Sequence, residues 1–274
     1  MILKHICPRP ELRDFIDTFW VFEADFGVPV TDSRIIAPNG KAKFIYPYTN
    51  ALATIDNGVL TSYPEQDIFF IGIWDKPVTL TSTAQVTGTI GIELSPSGLH
   101  RFTDFAAFEI VNQIYSFADV YGGRGRQLIE RLRNTPNVTE KVELLQLFLV
   151  GLLEKSRHNS LIDYSVQLIH GSAGLLTIGD LVEKTGYSKR YIDLLFREYV
   201  GISPKTLSAI SRFQRFYYSW ANAQMTNFYA ENLYEHYYDQ AHFIKEFKKF
   251  TGHAPKQYAN LPNDFGKIFY RSAP

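Results

Sequence analysis

The side chains with the most specific chemistry in this chain lie in two clusters near its C-terminus. Ser188, Lys189, Arg190, Asp193, Leu194 and Arg197 form the first, and Gln240, Ala241, His242, Ile244 and Lys245 form the second. These residue types suit the edges of nucleic-acid bases. Arg pairs bidentately with guanine, Gln with adenine, and small apolar groups touch the methyl of thymine. Two such clusters in one polypeptide point to double-stranded DNA read at two places.

For these side chains to act, each cluster must sit on the outer face of a short helix whose other face is packed. In the first, Ile192, Leu195, Phe196 and Tyr199 recur at helical spacing and make an inward stripe. Arg190, Asp193, Leu194 and Arg197 are left outside. Ser188 is placed to cap this helix by accepting from the backbone N–H of residue 190 or 191. Gly186 suits the turn before it, because glycine enters the left-handed conformation that ends a helix. Thr177-x-x-Asp180 resembles a capping arrangement at the start of the preceding helix. In the second cluster Asp239 is the cap, and Phe243, Phe247 and Phe250 form the stripe. Between the two, Ser203-Pro204 caps and opens a long helix through Leu207, Ile210, Phe213 and Tyr217. Proline costs nothing at that first position, since its missing N–H would be unpaired anyway. Such a helix would hold both reading helices on one side, about 34 Å or one DNA turn apart.

Each unit ends in Phe plus a basic residue and a Gly-x-x-Pro stop: Phe196-Arg197 with Gly201 to Pro204, then Phe247-Lys248 with Gly252 to Pro255. With Tyr238-Asp239-Gln240-Ala241-His242-Phe243 and Phe247-Lys248-Lys249-Phe250-Thr251-Gly252-His253-Ala254-Pro255, the last hundred residues resemble the AraC/XylS family of bacterial transcription regulators. The resemblance implies a DNA-binding domain of two helix-turn-helix subdomains joined by a helix, with the outward residues named above reading bases. It departs at His236, where the family usually has Gly. It departs also at Glu231-Asn232, which stand in place of the usual Ile-Ala pair, with Leu233 the nearest aliphatic residue. The first helix of the second unit is therefore expected to be shifted or shortened.

Bulk properties agree without deciding the matter. The 274 residues suffice for one large or two ordinary domains, with 45% hydrophobic and 20% charged residues and zero net charge. Residues 160–274 hold 13 basic against 10 acidic side chains and residues 1–159 hold 15 against 18, a small excess on the expected side. DNA binding must rest on where the basic groups point. The longest apolar run, Leu144 to Leu153, is broken by Gln146 and falls short of the roughly 20 residues of a membrane span. The N-terminus lacks the pattern of a signal peptide. Cys7 stands alone, so an internal disulfide is excluded, and a cytoplasmic location is expected.

The first hundred residues read as strands: Phe19 to Phe22, Lys43 to Tyr46, Ile68 to Trp74 and Gly88 to Leu94 are short and rich in aromatic and β-branched types. Asn57-Gly58 predicts a tight hairpin between Ala51–Ile55 and Val59–Thr61. Helices are expected from Ser95-Pro96 through Phe108, over Arg126–Asn134, and over Thr139–Lys155 with Thr139 as cap. The last is apolar nearly all round, which leaves two readings open: burial in its own domain, or an outer face that forms a homodimer seam. The fold class is thus α+β: a β-rich, barrel-like N-terminal domain with flanking helices (residues 1–157), then an all-α domain (158–274). The helix-turn-helix units of that second domain fall at about 175–200 and 227–252. Phe15 to Phe22, Pro38-Asn39-Gly40 and Ser95-Pro96-x-Gly98 resemble stretches of the sensor domains that many family members carry. This implies a small-molecule effector, dimerisation, and RNA polymerase as a partner if the protein activates. Phe19, Trp20, Tyr46, Phe69 and Trp74 either line a ligand pocket or are simply core.

Other chemistries find little support. A metal-dependent enzyme needs clustered ligands, and before residue 156 only His5 and His100 occur, far apart in sequence. Tyr121-Gly122-Gly123-Arg124-Gly125-Arg126 lacks the context of a phosphate loop and reads as a helix-capping loop. Nothing around Cys7 suggests an activated thiolate, and Asn137-Val138-Thr139, a glycosylation sequon, carries no meaning in the cytoplasm. No cofactor, metal or enzymatic activity is expected, nor any association with membrane. The competing reading is a ligand- or protein-binding module that no longer binds DNA, motivated by the small charge excess and by Asp193, Glu198 and Glu246 near the reading faces.

Overall fold

The computed structural model describes residues 1–26, 32–51, 53–56, 58–82, 84–153, 159–222 and 237–271. Among the described residues the N-terminal half contains ten strands: β1 (Ile2–Ile6), β2 (Ile16–Ala24), β3 (Ile35–Ile36), β4 (Lys43–Thr49), β5 (Ala53–Asp56), β6 (Val59–Ser62), β7 (Phe69–Ile71), β8 (Val78–Thr81), β9 (Thr87–Leu94) and β10 (Ile114–Ser116). They divide into two antiparallel sheets, ordered β1-β2-β9-β4-β7-β10 and β3-β8-β5-β6. The fold is α+β as expected, but the strands form two open sheets and do not close into a barrel. β5 pairs with β6 from Ala53↔Ser62 to Asp56↔Val59, the register a hairpin at residues 57–58 requires.

Strand alternation gives each face of the larger sheet its own role. Phe19 and Val21 of β2, Phe44 and Tyr46 of β4, and Ile90 and Ile92 of β9 join the main core. Trp20 and Phe22 point the other way, into a second cluster with Ala24 and Phe265. The helices packed on the first face are α1 (Leu99–Phe102), α2 (Phe117–Arg133) and α3 (Val138–Leu153), with short 3-10 turns at Pro10–Leu12 and Ala107–Ile110. The single helix expected through Phe108 is therefore two short pieces, since Thr103 and Ala106 take extended backbone between them.

Two further expectations are corrected. The glycine-rich stretch 121–126 lies inside α2 and not in a loop before it, with a kink at Gly122, whose φ is 56°. Asn137, not Thr139, caps α3: its Oδ1 accepts from the Thr139 N–H at 2.7 Å and from Glu140 at 3.4 Å. Along α3, Val142, Leu145 and Leu149 are buried while Leu147 is exposed. The helix thus combines a packed inner face with an open outer one. The expected domain boundary at 157/158, the helix of residues 227–236 and His236 lie outside the described residues.

The C-terminal half is helical: α4 (Ser160–Gly171), α5 (Ile178–Thr185), α6 (Lys189–Tyr199), α7 (Pro204–Asn222), α8 (Gln240–Thr251), α9 (Pro255–Ala259) and α10 (Asp264–Arg271). Both Gly-x-x-Pro stops double as starts, because Pro204 and Pro255 are the first residues of α7 and α9. α7 runs 19 residues, about 28 Å at the helical rise. Phe213, Phe216 and Tyr217 of α7 pack against Phe243, Phe247, Phe250 and Tyr258 in one aromatic core.

Candidate nucleic-acid interface and ligand cavity

α6, which carries the first cluster, is set by a chain of local hydrogen bonds. Thr177 Oγ1 accepts from the Asp180 N–H at 3.1 Å while Asp180 Oδ2 accepts from the Thr177 N–H at 3.0 Å, a reciprocal cap on α5. Gly186 ends that helix at φ 73°, a left-handed conformation that strains any L side chain. Ser188 Oγ then accepts from the Tyr191 N–H at 3.3 Å and starts α6. Ile192, Leu195 and Phe196 are buried. Ser188, Lys189, Arg190, Leu194 and Arg197 are exposed, and Asp193 is half-buried. Tyr187 and Tyr191 lie beside them, their rings tilted and 5.3 Å apart between centroids. Arg197 is engaged from the other half of the chain, its guanidinium 4.2 Å over the Phe108 ring.

α8, which carries the second cluster, repeats the pattern. Asp239 Oδ1 accepts from the His242 N–H at 2.7 Å, and Phe243, Phe247 and Phe250 are fully buried. Gln240, Ala241 and Lys245 are exposed, whereas His242 and Ile244 are half-buried. His242 is drawn sideways, with Nε2 3.3 Å from Glu246 Oε1 and the ring edge-on to Tyr237. Of the three acidic residues that counted against a DNA-reading face, Glu246 is paired with Arg212 of α7 at 2.8 Å, and Asp193 and Glu198 are half-buried.

A second site lies between the two sheets, a cavity of about 680 Å³. Its walls are apolar, built from Trp20 and Phe22 of β2, Ile45 of β4, Phe69 and Ile71 of β7, and Leu80 of β8. Strand alternation therefore splits the five aromatics singled out from sequence. Trp20, Phe69 and Trp74 line the cavity, while Phe19 and Tyr46 face the core on the far side of the sheet. Gly91 makes room for the indole: a Cβ there would lie 2.0 Å from Cζ2 of Trp20.

One polar corner interrupts the apolar wall, and sequence reasoning missed it. Lys41 Nζ is 2.9 Å from Asp17 and 3.4 Å from Glu93, and Lys43 Nζ donates to Asn39 Oδ1 at 2.8 Å and lies 3.8 Å from Glu93. Burial alone would raise the Glu93 pKa, but Lys41 and then Lys43 overcome it and hold the carboxyl below its ordinary value. Burial works against charge on Lys41 as well, and Glu93 with Asp17 reverses it, leaving that ammonium firmly protonated. Lys43, with less compensation, stays lowered by burial. The available signal was Lys43 and Glu93 falling in phase with the cavity-facing positions of strands otherwise apolar. The C-terminal half completes the cavity through His170 in the last turn of α4, through Gln214 and Tyr218 of α7, and through Phe269 of α10. Gln214 also donates to the carbonyl of Pro38 at 2.5 Å.

Among the described residues, no cluster of three or more His, Cys, Asp or Glu side chains suits a metal ion. Among them also, no helix is long and apolar enough to cross a membrane.

A protein-family profile described as "Domain of unknown function (DUF6597)" matches residues 4–116. The F1 operon positive regulatory protein of Yersinia pestis is 32% identical over 113 residues, a match that covers 40% of this chain and 36% of that protein. The match thus spans about a third of the length of this curated relative. Among solved structures, ToxT from Vibrio cholerae shares 14% identity with a TM-score of 0.46, covering 88% of this chain and 97% of that one. The AraC-like transcriptional activator CuxR shares 16% with a TM-score of 0.25, covering 75% of each chain. The tandem signature, each copy of which ends in a capped helix over a buried apolar stripe, is similar to that of the AraC/XylS family of transcription regulators.

Proposed function

We propose that this protein is a sequence-specific DNA-binding regulator that reads the major groove with α6 and α8 and senses an apolar small molecule in its N-terminal cavity. The observation that carries the first part is the pairing of two N-capped helices across α7. Each keeps its apolar stripe buried and turns hydrogen-bonding side chains outward. In this reading Arg190 and Gln240 make bidentate base contacts, and Ala241 and Leu194 meet thymine methyls. Ser188, Lys189 and Lys245 hold phosphates, which position the protein without reading sequence. Asp193, Arg197, His242 and Ile244 flank these contacts. Their half-burial or existing partners make them adjusters of the reading faces.

The second part rests on the cavity. Its volume lies within the range of small-molecule sites, and an apolar wall with a few convergent polar groups is their usual construction. The ligand this favours has an apolar body and a single hydrogen-bonding end directed to the corner of Asn39, Lys43 and Glu93. A second copy of the chain, joined through the exposed Leu147 side of α3, and RNA polymerase, if transcription is raised, complete the set of partners. The cytoplasm is where such a protein would meet its DNA.

Selection of bound sequences from a random DNA library with the full-length protein tests the central claim. A recovered motif with two reads about one helical turn apart is expected. Binding to it should fall steeply with salt, since each neutralised phosphate contributes about −0.9 to the slope of log K against log salt. No enrichment at low salt would overturn the reading.

A further inference from the structure

We infer that α10 is the closing wall of the cavity, set in place by Asn263, so that an occupant is held jointly by the sensor sheets and the DNA-reading half. The inference rests on the reading of the cavity as an effector site and adds how that site is coupled to the rest of the chain.

The edge of the smaller sheet is β3, and residues 262–265 dock along it almost as another strand would. The Ile35 N–H donates to Asn263 Oδ1 at 2.9 Å, and Asn263 Nδ2 donates back to the Ile35 carbonyl at 2.9 Å. The Ser33 N–H donates to the Pro262 carbonyl at 2.8 Å, and the Phe265 N–H donates to Asp32 Oδ2 at 3.0 Å. Asn263 is fully buried, and its Nδ2 also lies 2.6 Å from Tyr258 Oη, which is 2.6 Å from Tyr217 Oη. A continuous buried polar path thus runs from the sheet edge to α7, the helix that joins both reading units.

The docked helix delivers Phe265 and Phe269 to the sheet. Phe265 lies 5.5 Å from Phe22, and Phe269 lies 5.5 Å from Trp20, edge to face. Phe269 then forms part of the cavity wall, as does Trp20. A ligand resting on both rings binds the docked arrangement more tightly than an undocked one, and by linkage it must stabilise docking by the same factor.

The test uses the full chain and the neutral apolar fluorophore N-phenylnaphthylamine as probe, with wild type, Phe269→Ala and Asn263→Ala. Circular dichroism reports whether each variant is folded, and the half-buried Phe269 is the position where truncation leaves the fold intact. Wild type should bind the probe saturably, and Phe269→Ala should weaken it about tenfold. Saturating probe should slow amide exchange across α10 and at Ile35 in wild type, and Asn263→Ala should abolish that protection. Equal probe affinity in Phe269→Ala, or unchanged exchange on probe binding, would overturn the role of α10 and leave the cavity reading standing. No saturable binding by wild type would remove the cavity as an effector site and the inference with it. DNA selection, which needs no probe, reads the regulator assignment separately.

Discussion

Arg212 reaches from α7 to Glu246 of α8 and closes a bidentate ion pair, with Nη2 2.8 and 3.0 Å from the two carboxylate oxygens and Nε 3.3 Å from one of them. The same guanidinium donates through Nη1 to the carbonyl of Gly174, in the turn between α4 and α5, at 2.9 Å. One side chain therefore ties both the α4–α5 turn and α8 to α7. Its acidic partner is withdrawn from the face that α8 presents outward. Both side chains are about 15% exposed, so the pair is poorly screened by solvent.

Breaking that pair should cost stability. Arg212→Ala leaves the Glu246 carboxylate largely buried without its cation, and such losses run to about 3 kcal/mol. Urea unfolding of the variant should show a decrease of this order. A change under about 0.5 kcal/mol, typical of an exposed surface pair, would mean the pair adds nothing.

The two exposed base-reading candidates should behave in the opposite way. Arg190→Ala and Gln240→Ala should leave the unfolding midpoint unchanged, because neither side chain is packed. Each should weaken binding to the selected DNA by about 1–3 kcal/mol, the worth of one bidentate base contact. Titration of labelled duplex with each variant decides the matter, and full affinity in both would displace the reading faces from α6 and α8.

Glu93 should make stability depend on pH. Its folded pKa lies below the ordinary 4.5, so the unfolded chain takes up the proton first as pH falls. The stabilisation is complete above about pH 4.5 and is lost as pH drops through the folded value. Glu93→Gln should remove this acid-limb dependence. At neutral pH it should cost about 3 kcal/mol, because Lys41 and Lys43 lose the carboxylate they share. Unfolding curves for both proteins across the acid range supply the comparison, and parallel curves would exclude Glu93 as the source.

Gly91→Ala should be felt in the cavity. The added methyl would sit 2.0 Å from the Trp20 indole, which must shift to admit it. Overpacking of this kind costs about 1–3 kcal/mol. The Trp emission should move together with the unfolding midpoint, whereas an unchanged spectrum would place the indole elsewhere.

Much of the C-terminal half was legible in the sequence because its determinants are local. The caps at Thr177, Ser188, Ser203 and Asp239 each accept from an N–H three residues along the chain. The buried stripes follow helical spacing. These interactions need no distant partner, so residue type and spacing suffice to specify them, and the tandem arrangement with its two outward faces follows. The strands of the first hundred residues were legible for the same reason, through alternation and the hairpin at Gly58. Tertiary structure alone decided which face of each strand looks into the cavity, since alternation separates Trp20 from Phe19 without naming the side that stays open. It alone decided that Glu246 turns inward to Arg212 and that Arg197 rests on Phe108. It alone joined Asn263 to Ile35, 228 positions apart. Such pairings depend on chain closure over long separations, where no local preference acts and the packing of the whole molecule selects the partner.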